Sequence, residues 1–365
     1  MSFKVNDQLD GLIKINGQEL VLTNGNFLKT LHIRAAALDA LPTMHFEFVD
    51  LLKLVPSMNL NDGSTVEVTL SSNIQIVRNF RVFSWLRTPV GDGFAYSIDC
   101  YWDAPQYLMG TSCAGILGSS SSVLNTIATT CGLGISTFNQ VTADQMIWLP
   151  NNRTYAIFAK DVARHGFRSA TSHMVLAVDS HGTMRYWDIN SNPAPAVTVG
   201  FVPPSNGGAY QRISDFTATI NSGTNNMVGG YQHVRHAQSV TGSTVVNQLT
   251  LSSDSKVPTI NFDVRTELAR SFVTHSPLDY GNVHPNYEQA WVQNIRYNLL
   301  NSMEGQFLFN TMTNWEPLDN FNYAAPSDLN NNQHDGEYTV TTKIVFIAGK
   351  DYSEKIIAVR NGLNS

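Results

Sequence analysis

Apolar residues recur at two different spacings along this chain, and the two spacings predict two kinds of element. Between Leu12 and Asp103, short apolar runs alternate with turn sequences such as Asn16-Gly17 and Gly91-Asp92-Gly93. Runs separated by Asn-Gly and Asp-Gly turns are typical of antiparallel hairpins. We expect a sandwich or, in preference, a closed barrel. The predicted strands are 20–22, 31–33, 45–49, 65–70, 74–77, 80–86 and 94–100.

The stretch from Ser121 to Phe167 follows the helical period instead. Its first segment has apolar residues three and four positions apart, and Gly132 provides a C-terminal stop. The second begins at Thr154, a good N-cap, and ends just after Arg164 and His165, cations that suit a helix C-terminus. With a predicted hairpin of strands 174–178 and 184–189, these helices form a small α/β domain. The preceding residues 104–122 have the composition of a linker.

The rest of the chain returns to strands, interrupted by helical periodicity between 263 and 305. Two short helices are predicted there, the second carrying Trp291, Ile295, Leu299 and Met303 at four-residue spacing. Residues 190–209 have the composition of a loop, and Gly349-Lys350-Asp351 closes a long final hairpin. No internal repeat is visible, although two β domains of similar size are expected. The predicted strands are 213–220, 227–234, 306–309, 338–348 and 355–360.

The pattern therefore predicts an α+β chain that is mostly β. We expect a first β-barrel domain in residues 1–110 and an α/β connecting domain in 111–205. A second β domain combines 206–260 with 306–365, and 261–305 form a helical insertion.

Charge is scarce, and that bears on function. Charged residues make up 14% of the chain, whereas soluble domains average about 25%. A surface built from Asn, Ser, Thr and Gln is usual in β-rich proteins whose surfaces are covered by neighbours in an assembly. The net charge of -6 argues against a protein that grips nucleic acid, because phosphate binding needs clustered cations.

Compartment follows from cysteine usage and from the N-terminus. Cys100, Cys113 and Cys131 are an odd number without paired metal-ligand spacing, which favours reduced thiols in a cytosolic protein. The N-terminus lacks the apolar region of a signal peptide, and no run of about twenty apolar residues could span a membrane. We expect a soluble chain without a cleaved leader.

The candidate metal sites in the sequence have simpler structural explanations. His233 and His236 have a two-histidine spacing, but a strand would send them to opposite faces. The run 328–332 begins like a calcium loop, yet Gln333 and Thr339 stand where the loop requires Gly and Glu. An ordinary polar loop is the better interpretation. Neither segment is expected to bind a metal.

Catalytic candidates are equally weak. Cys131 lies on the apolar stripe of the first helix, so it is expected to be a small core residue. Glu304 is a solitary acid at a predicted helix end, and no second carboxylate pairs with it for glycoside hydrolysis. Trp148, Trp187 and Trp291 fall on apolar patterns that predict core positions. The sequence predicts no catalytic, cofactor-binding or metal-binding residue, and no cofactor.

The arrangement as a whole resembles baseplate hub proteins of contractile-tailed bacteriophages, whose fold also forms the head of type VI secretion spikes. The resemblance covers most of the chain and rests on order and spacing. It is carried by Asp62-Gly63-Ser64-Thr65-Val66-Glu67-Val68, the helix 121–133, Trp148 followed by 151–165, the turn 179–182 and the terminal Ala358-Val359-Arg360-Asn361-Gly362-Leu363.

The resemblance implies two tail-tube-like antiparallel β-barrel domains joined by small α/β domains. It implies a homotrimer whose six barrels form a pseudo-six-fold ring, adapting a six-fold tail tube to a three-fold spike and lining a channel for DNA. The implied partners are the chain itself, the tail tube protein, the tail spike protein and other baseplate proteins, without sequence-specific nucleic-acid binding or membrane insertion. The implied location is the virion tail baseplate, assembled in the host cytoplasm, and no enzyme activity is required.

Two other classes of function stay open at this point. One is a tail-tip cell-wall hydrolase. The other is a receptor-binding or glycan-binding β protein, suggested by the aromatic and Asn-rich segment from Trp315 to Tyr323. Cleavage of peptidoglycan would favour the first, and binding on a glycan array would favour the second.

Overall fold

A computed structural model describes residues 3–6, 9–22, 26–37, 39–72, 75–136, 141–169, 172–203, 207–220, 235–238, 244–247, 303–325 and 334–360. The predicted strand 227–234, the helical predictions between 263 and 302, and the polar loop 328–332 lie outside these residues.

The described part of the chain is mostly β-strand. The strands are β1 (Phe3–Asn6), β2 (Leu9–Ile15), β3 (Gln18–Glu19), β4 (Phe27–Ala36), β5 (Thr43–Asp50), β6 (Thr65–Ser71), β7 (Gln75–Val90), β8 (Gly93–Trp102), β9 (Ile116–Gly118), β10 (Gly134–Ser136), β11 (Met146–Trp148), β12 (Met174–Val178), β13 (Thr183–Asp188), β14 (Val197–Gly200), β15 (Ala209–Arg212), β16 (Asp215–Ile220), β17 (Arg235–Gln238), β18 (Thr244–Asn247), β19 (Met303–Phe309), β20 (Asn320–Ala324), β21 (Gly336–Ala348) and β22 (Asp351–Arg360). The helices are α1 (Pro105–Met109), α2 (Ser120–Cys131) and α3 (Tyr155–His165).

The helical predictions between Ser121 and Phe167 are confirmed in α2 and α3. Helix α2 ends at Gly132, whose φ of 73° is the left-handed conformation expected of a C-terminal glycine. The Thr154 side chain accepts a hydrogen bond from the Ile157 amide and begins α3. The predicted hairpin after them is also present, as β12 and β13. Local capping signals are therefore sufficient to place these elements.

Several predicted boundaries are wrong. Strands 74–77 and 80–86 are one strand, β7, because the alternation of inward and outward side chains continues through Arg78 and Asn79. The linker 104–122 contains α1 and β9, and the loop 190–209 contains β14. Residues 20–22 follow β3 and are not a strand, and Met303 begins β19 and is not helical. Sheet pairing with distant strands decides these positions, and local composition does not report it.

One fifteen-stranded sheet forms most of the fold. Eight of its strands lie side by side in the order β7-β8-β5-β4-β21-β22-β19-β16, and each neighbouring pair is antiparallel. The sheet curls around two separate cores. The first contains Phe46, Phe48 and Phe80, and the second contains Phe307, Phe309 and Tyr338.

The final hairpin belongs to both cores. Val345, Ile347 and Tyr352 pack into the first core, whereas Val340 and Ile356 pack into the second. The mostly β, two-unit fold expected from the sequence is confirmed, with two refinements. The units share one continuous sheet, and β14 pairs parallel with both β15 and β20, so the second unit is not wholly antiparallel. The residue boundaries of the domains stay a prediction.

The small α/β domain packs beside this sheet. Helices α2 and α3 cover the three-stranded sheet β10-β13-β12, and Val123, Phe158, Met184 and Tyr186 share its core. A two-stranded ladder of β9 and β11 completes the domain, and Trp148 on that ladder is fully buried.

An internal repeat, invisible in the sequence, relates the two β units. Strands β4 to β8 are arranged in the sheet as β6-β7-β8-β5-β4, and the corresponding later strands are arranged as β20-β21-β22-β19-β16. The order of strands along the chain and across the sheet is the same in both units. Each unit thus repeats one five-stranded topology.

The repeat extends to backbone detail. Two-residue turns beginning with Gly91 and Gly349, both at positive φ, close the β7–β8 and β21–β22 hairpins. A bulge interrupts each hairpin, between Val82 and Ser84 in β7 and between Val340 and Thr342 in β21. The two bulges lie the same number of residues ahead of the turn. Bulges are built-in features rather than defects, so the match supports a real structural repeat.

Candidate functional site: buried joints and free sheet edges

The cysteines suggested by the sequence occupy unreactive or isolated positions. Cys100 in β8 is fully buried. Burial raises the pKa of its thiol, and the negative charge of the nearby Asp99 raises it further by a smaller amount. Burial also raises the pKa of Cys131 to about 11. Thiolate is the nucleophilic form, so both side chains behave as core residues. Cys113 is exposed, between α1 and β9.

The other candidates are dispersed. Glu304 lies on β19, not at a helix end, and accepts a hydrogen bond from Gln306 at 3.2 Å. Trp148 and Trp187 are buried, and their indole N–H groups donate to the carbonyls of Gly118 and Ser136. His236 lies on β17. His233 and Trp291 lie outside the described residues.

Two absences hold for the described part of the chain. Its His, Cys, Asp and Glu side chains include no group of three or more that could hold a metal ion. Within the same residues, no helix has the length and apolar character needed to cross a membrane.

The aromatic segment that suggested glycan binding is part of the second core. Phe321 and Tyr323 lie on β20 and are 0% and 3% exposed. Trp315 packs against Phe309 and Phe321, with ring centroids 5.3 and 5.1 Å apart. Strand pairing turns Phe321 and Tyr323 inward, and Trp315 packs against the same core. The aromatic residues that suggested glycan binding therefore contribute to the second core.

A buried cluster of charges joins the α/β domain to the sheet. Glu316 accepts hydrogen bonds from the Ser180 amide at 2.8 Å and from the Lys343 ammonium at 3.2 Å. The Arg78 guanidinium donates to the Ser180 carbonyl at 3.2 Å, and Glu354 accepts from the Thr313 amide at 2.9 Å. All six side chains are almost completely buried. Burying charge is costly unless it is paired, so this cluster requires the turn at Ser180 to stay docked.

The balance of charge holds Glu316 ionised. Burial alone would raise its pKa, but Lys343 and then Arg78, together with hydrogen bonds from Ser180, lower it to about 2. A second joint lies beside it, where Arg185 donates to Asp179 and to Asp319, each at 2.8 Å. The two joints fix the β12–β13 turn against the segment 313–319. Sequence reasoning missed both, although Arg78, Lys343 and Glu354 stand at core-facing positions of their strands.

Two edges of the eight-stranded sheet have no neighbouring strand among the residues that the structure describes. The first half of β7 pairs with β6 as well as β8, but residues 83–90 pair with β8 alone within the described structure. Side chains on both faces of that half are exposed, including Phe83, Leu86 and Val90 at 51%, 64% and 40%. At the far end, β16 pairs with β19 alone among the described strands. A long apolar edge strand is a template for pairing with another chain.

The side of the eight-stranded sheet that faces away from the two aromatic cores, which we call the polar face, is acidic. His45 contacts Asp99 at 2.7 Å there, and Ser84 donates to the same carboxylate. Strand alternation and register place six carboxylates and three cations on this face, namely Glu47, Asp99, Asp215, Glu304, Glu337 and Asp351 against Arg34, Arg81 and Lys355.

Comparison with known proteins places this fold. No protein-family model and no curated protein matches the sequence. Among solved structures, a tail protein from Neisseria meningitidis is similar with a TM-score of 0.63 and 11% identity, covering 96% of both chains. The 43 kDa tail protein of prophage MuSo2 from Shewanella oneidensis gives 0.63 and 9%, covering 96% of this chain and 98% of its own. A Francisella PdpA–VgrG complex gives 0.55 and 9%, covering 99% of this chain and 55% of that one.

The chain therefore has the fold of phage tail proteins, which is shared with VgrG-related spike proteins of type VI secretion. The hub-like fold implied by the sequence resemblance is confirmed.

Proposed function

We propose that this protein is a structural, non-enzymatic baseplate hub of a phage tail. Three copies form a homotrimer whose six β units make a pseudo-six-fold ring. The ring adapts a six-fold tail tube to a three-fold spike and lines the channel through which DNA leaves the particle. Its partners are further copies of the chain, the tail tube protein, the tail spike protein and other baseplate proteins.

The internal repeat is the observation that carries this proposal. Each chain holds two copies of one five-stranded topology, joined in register through β4 and β21. Three-fold symmetry acting on two similar units produces six similar positions around one axis. Closed cyclic symmetry is the usual form of a homo-oligomer. Joining a tube to a spike requires surfaces of fixed shape that fit their partners. The two buried joints, which fix the α/β domain against the sheet, are consistent with that requirement.

The polar face supports a channel role. A groove that binds nucleic acid by its backbone is basic, because cations replace counterions on the phosphates. Carboxylates predominate on the polar face, so it would repel phosphates and let DNA pass without sticking. The location we propose is the tail baseplate of the virion, assembled in the cytoplasm of the host.

Particle mass and symmetry test the proposal. Light scattering should give about 120 kDa, three times the 40.3 kDa chain mass. Electron microscopy of the assembled particle should show a ring of six similar densities that obeys three-fold symmetry, because each of three identical chains contributes two similar units. A chain that stays monomeric at assembly concentrations and is absent from tail particles would contradict it. Wild-type cleavage of purified peptidoglycan would favour the hydrolase instead.

A further inference from the structure

We infer that the trimer closes by main-chain pairing, in which the free edge of β16 in one copy adds to residues 84–88 of β7 in the next. The inference rests on the proposed trimer and names the surface that holds it together. The partner is a second copy of this chain, and the product is one sheet that continues from copy to copy.

The template for this contact exists inside each chain. There, β4 pairs antiparallel with the half of β21 that follows its bulge, from Thr342 opposite Ala36 to Ala348 opposite Thr30. In the repeat, β4 is the first strand of one unit and β21 is the fourth strand of the other. This pairing joins the two units without a break in the sheet.

The two open edges are the unused counterparts of that template. Strand β16 corresponds to β4, and the half of β7 that follows its bulge corresponds to the same half of β21. A contact between different edges is head-to-tail, which closes a ring when the rotation permits. The chain thus carries both sides of one joint, and among the described strands neither side has a neighbour paired with it. This complementarity favours a second copy over an unrelated protein.

The repeat also predicts the register. The turns and bulges show that Val90 in the first unit is equivalent to Ala348 in the second. Phe216 is equivalent to Leu31, because Phe216 pairs with Phe307 and Leu31 pairs with the equivalent residue Phe46. Transferring the β4–β21 register then sets Asp215 opposite Val90, Thr217 opposite Thr88 and Thr219 opposite Leu86 of the next copy. The pair Thr217–Thr88 corresponds to His32–Phe346, whose rings meet edge to face at 6.3 Å.

Some features of β7 limit the pairing. Pro89 has no N–H to donate, so the ladder is expected to be carried by residues ahead of it. Arg87 is held on its own chain by stacking over Phe94, 4.6 Å from the ring centroid. Residues 84–88 therefore remain as a short strand edge available for pairing with another copy.

Cysteine pairs test the register. In a Cys113→Ser background, Thr88→Cys with Thr217→Cys should form interchain disulfides when oxidised glutathione accepts the electrons. The matched control, Ser84→Cys with Thr217→Cys, displaces one thiol by four residues, roughly 13 Å along the strand. A disulfide needs Cα atoms within about 7 Å, so the control should not cross-link. All four positions are exposed.

The outcomes separate the two proposals. Cross-linking of the first pair alone supports the register. A trimer in light scattering with neither pair cross-linked, or with both cross-linked equally, overturns the strand pairing and leaves the hub intact. A monomer in light scattering overturns both. Amide hydrogen exchange of the unmodified protein provides a second measurement, because residues 84–88 and 215–219 should exchange more slowly in the trimer, and unchanged exchange would also overturn the pairing.

Discussion

Phe46 and Phe307 occupy the same position in two copies of one structural unit. Each is fully buried, and each pairs across its sheet with an isoleucine, Ile98 for Phe46 and Ile356 for Phe307. The next inward residues, Phe48 and Phe309, match as well. The two cores are therefore built around the same aromatic ridge.

The equivalence predicts matched losses of stability. Phe46→Ala and Phe307→Ala should each lower the free energy of unfolding by about 3 to 5 kcal/mol, because each leaves a cavity in a closed core. Urea denaturation of each variant measures the change. Phe83→Ala, at a position 51% exposed, is the control and should stay within about 0.5 kcal/mol of wild type. A large loss at only one of the two core positions would contradict the structural equivalence.

The buried charge cluster should be sensitive to the loss of one member. Glu316→Gln should destabilise the protein by about 3 to 5 kcal/mol, because Lys343 and Arg78 lose their shared counter-charge. Adding Lys343→Met should recover part of the loss, since one cation and one carboxylate then remain. Glu67→Gln removes a half-exposed partner of Lys14 at 2.7 Å and should cost at most about 1 kcal/mol. Equal losses in Glu316→Gln and Glu67→Gln would refute the importance of burial.

The same carboxylate gives a dependence on pH. Its pKa is lowered from 4.5 to about 2 in the folded protein, so folding favours the ionised form. The resulting stabilisation is complete above the unfolded value and is lost as pH falls from about 4.5 towards 2. The stability difference between wild type and Glu316→Gln should therefore narrow between neutral pH and about pH 3. A difference that stays constant over this range would contradict the assignment.

Two glycines with the same backbone conformation should respond differently to substitution. Gly182 has φ +72° and a Cβ there would lie 2.1 Å from the Trp102 ring, whereas Gly132 has φ +73° and open space around it. Gly132→Ala should cost about 1 kcal/mol of backbone strain. Gly182→Ala should cost a further 1 to 3 kcal/mol or so, because the clash displaces the turn from the sheet. Thermal unfolding compares the two, and equal costs would show that the turn is not tightly docked.

The open edge of β7 predicts where charge disrupts assembly. Leu86→Lys should weaken the proposed trimer while the folded monomer remains, because charged side chains on an edge strand oppose pairing. Val77→Lys, 45% exposed on the half of the same strand that β6 covers, is the matched control and should leave the trimer intact. Light scattering over a dilution series measures both. Equal effects of the two substitutions would argue against this edge as the interface.

Local features of this fold could be predicted, whereas the relation between distant strands could not. Helix-capping residues and apolar stripes predicted α2 and α3 correctly, because Thr154 and Gly132 form their capping interactions with residues close by in the sequence. The repeat escaped notice because its units share few side chains and the loops between matching strands differ in length. The buried cluster left a usable signal: Arg78, Lys343 and Glu354 each interrupt an inward-facing apolar series. A charged residue at an inward-facing position of a strand indicates that an oppositely charged or hydrogen-bonding partner is buried beside it. Which residue is the partner is known only from the folded structure.

The hairpin shared by the two units has a consequence for biosynthesis. Residues 336–360 complete both cores, so a nascent chain on the ribosome can finish neither unit before they emerge. Both cores depend on contacts between residues far apart in sequence, which slows folding and prolongs the exposure of unpaired strands. Both cores therefore require full-length synthesis, because a prematurely terminated chain lacks the strand that unites its two halves.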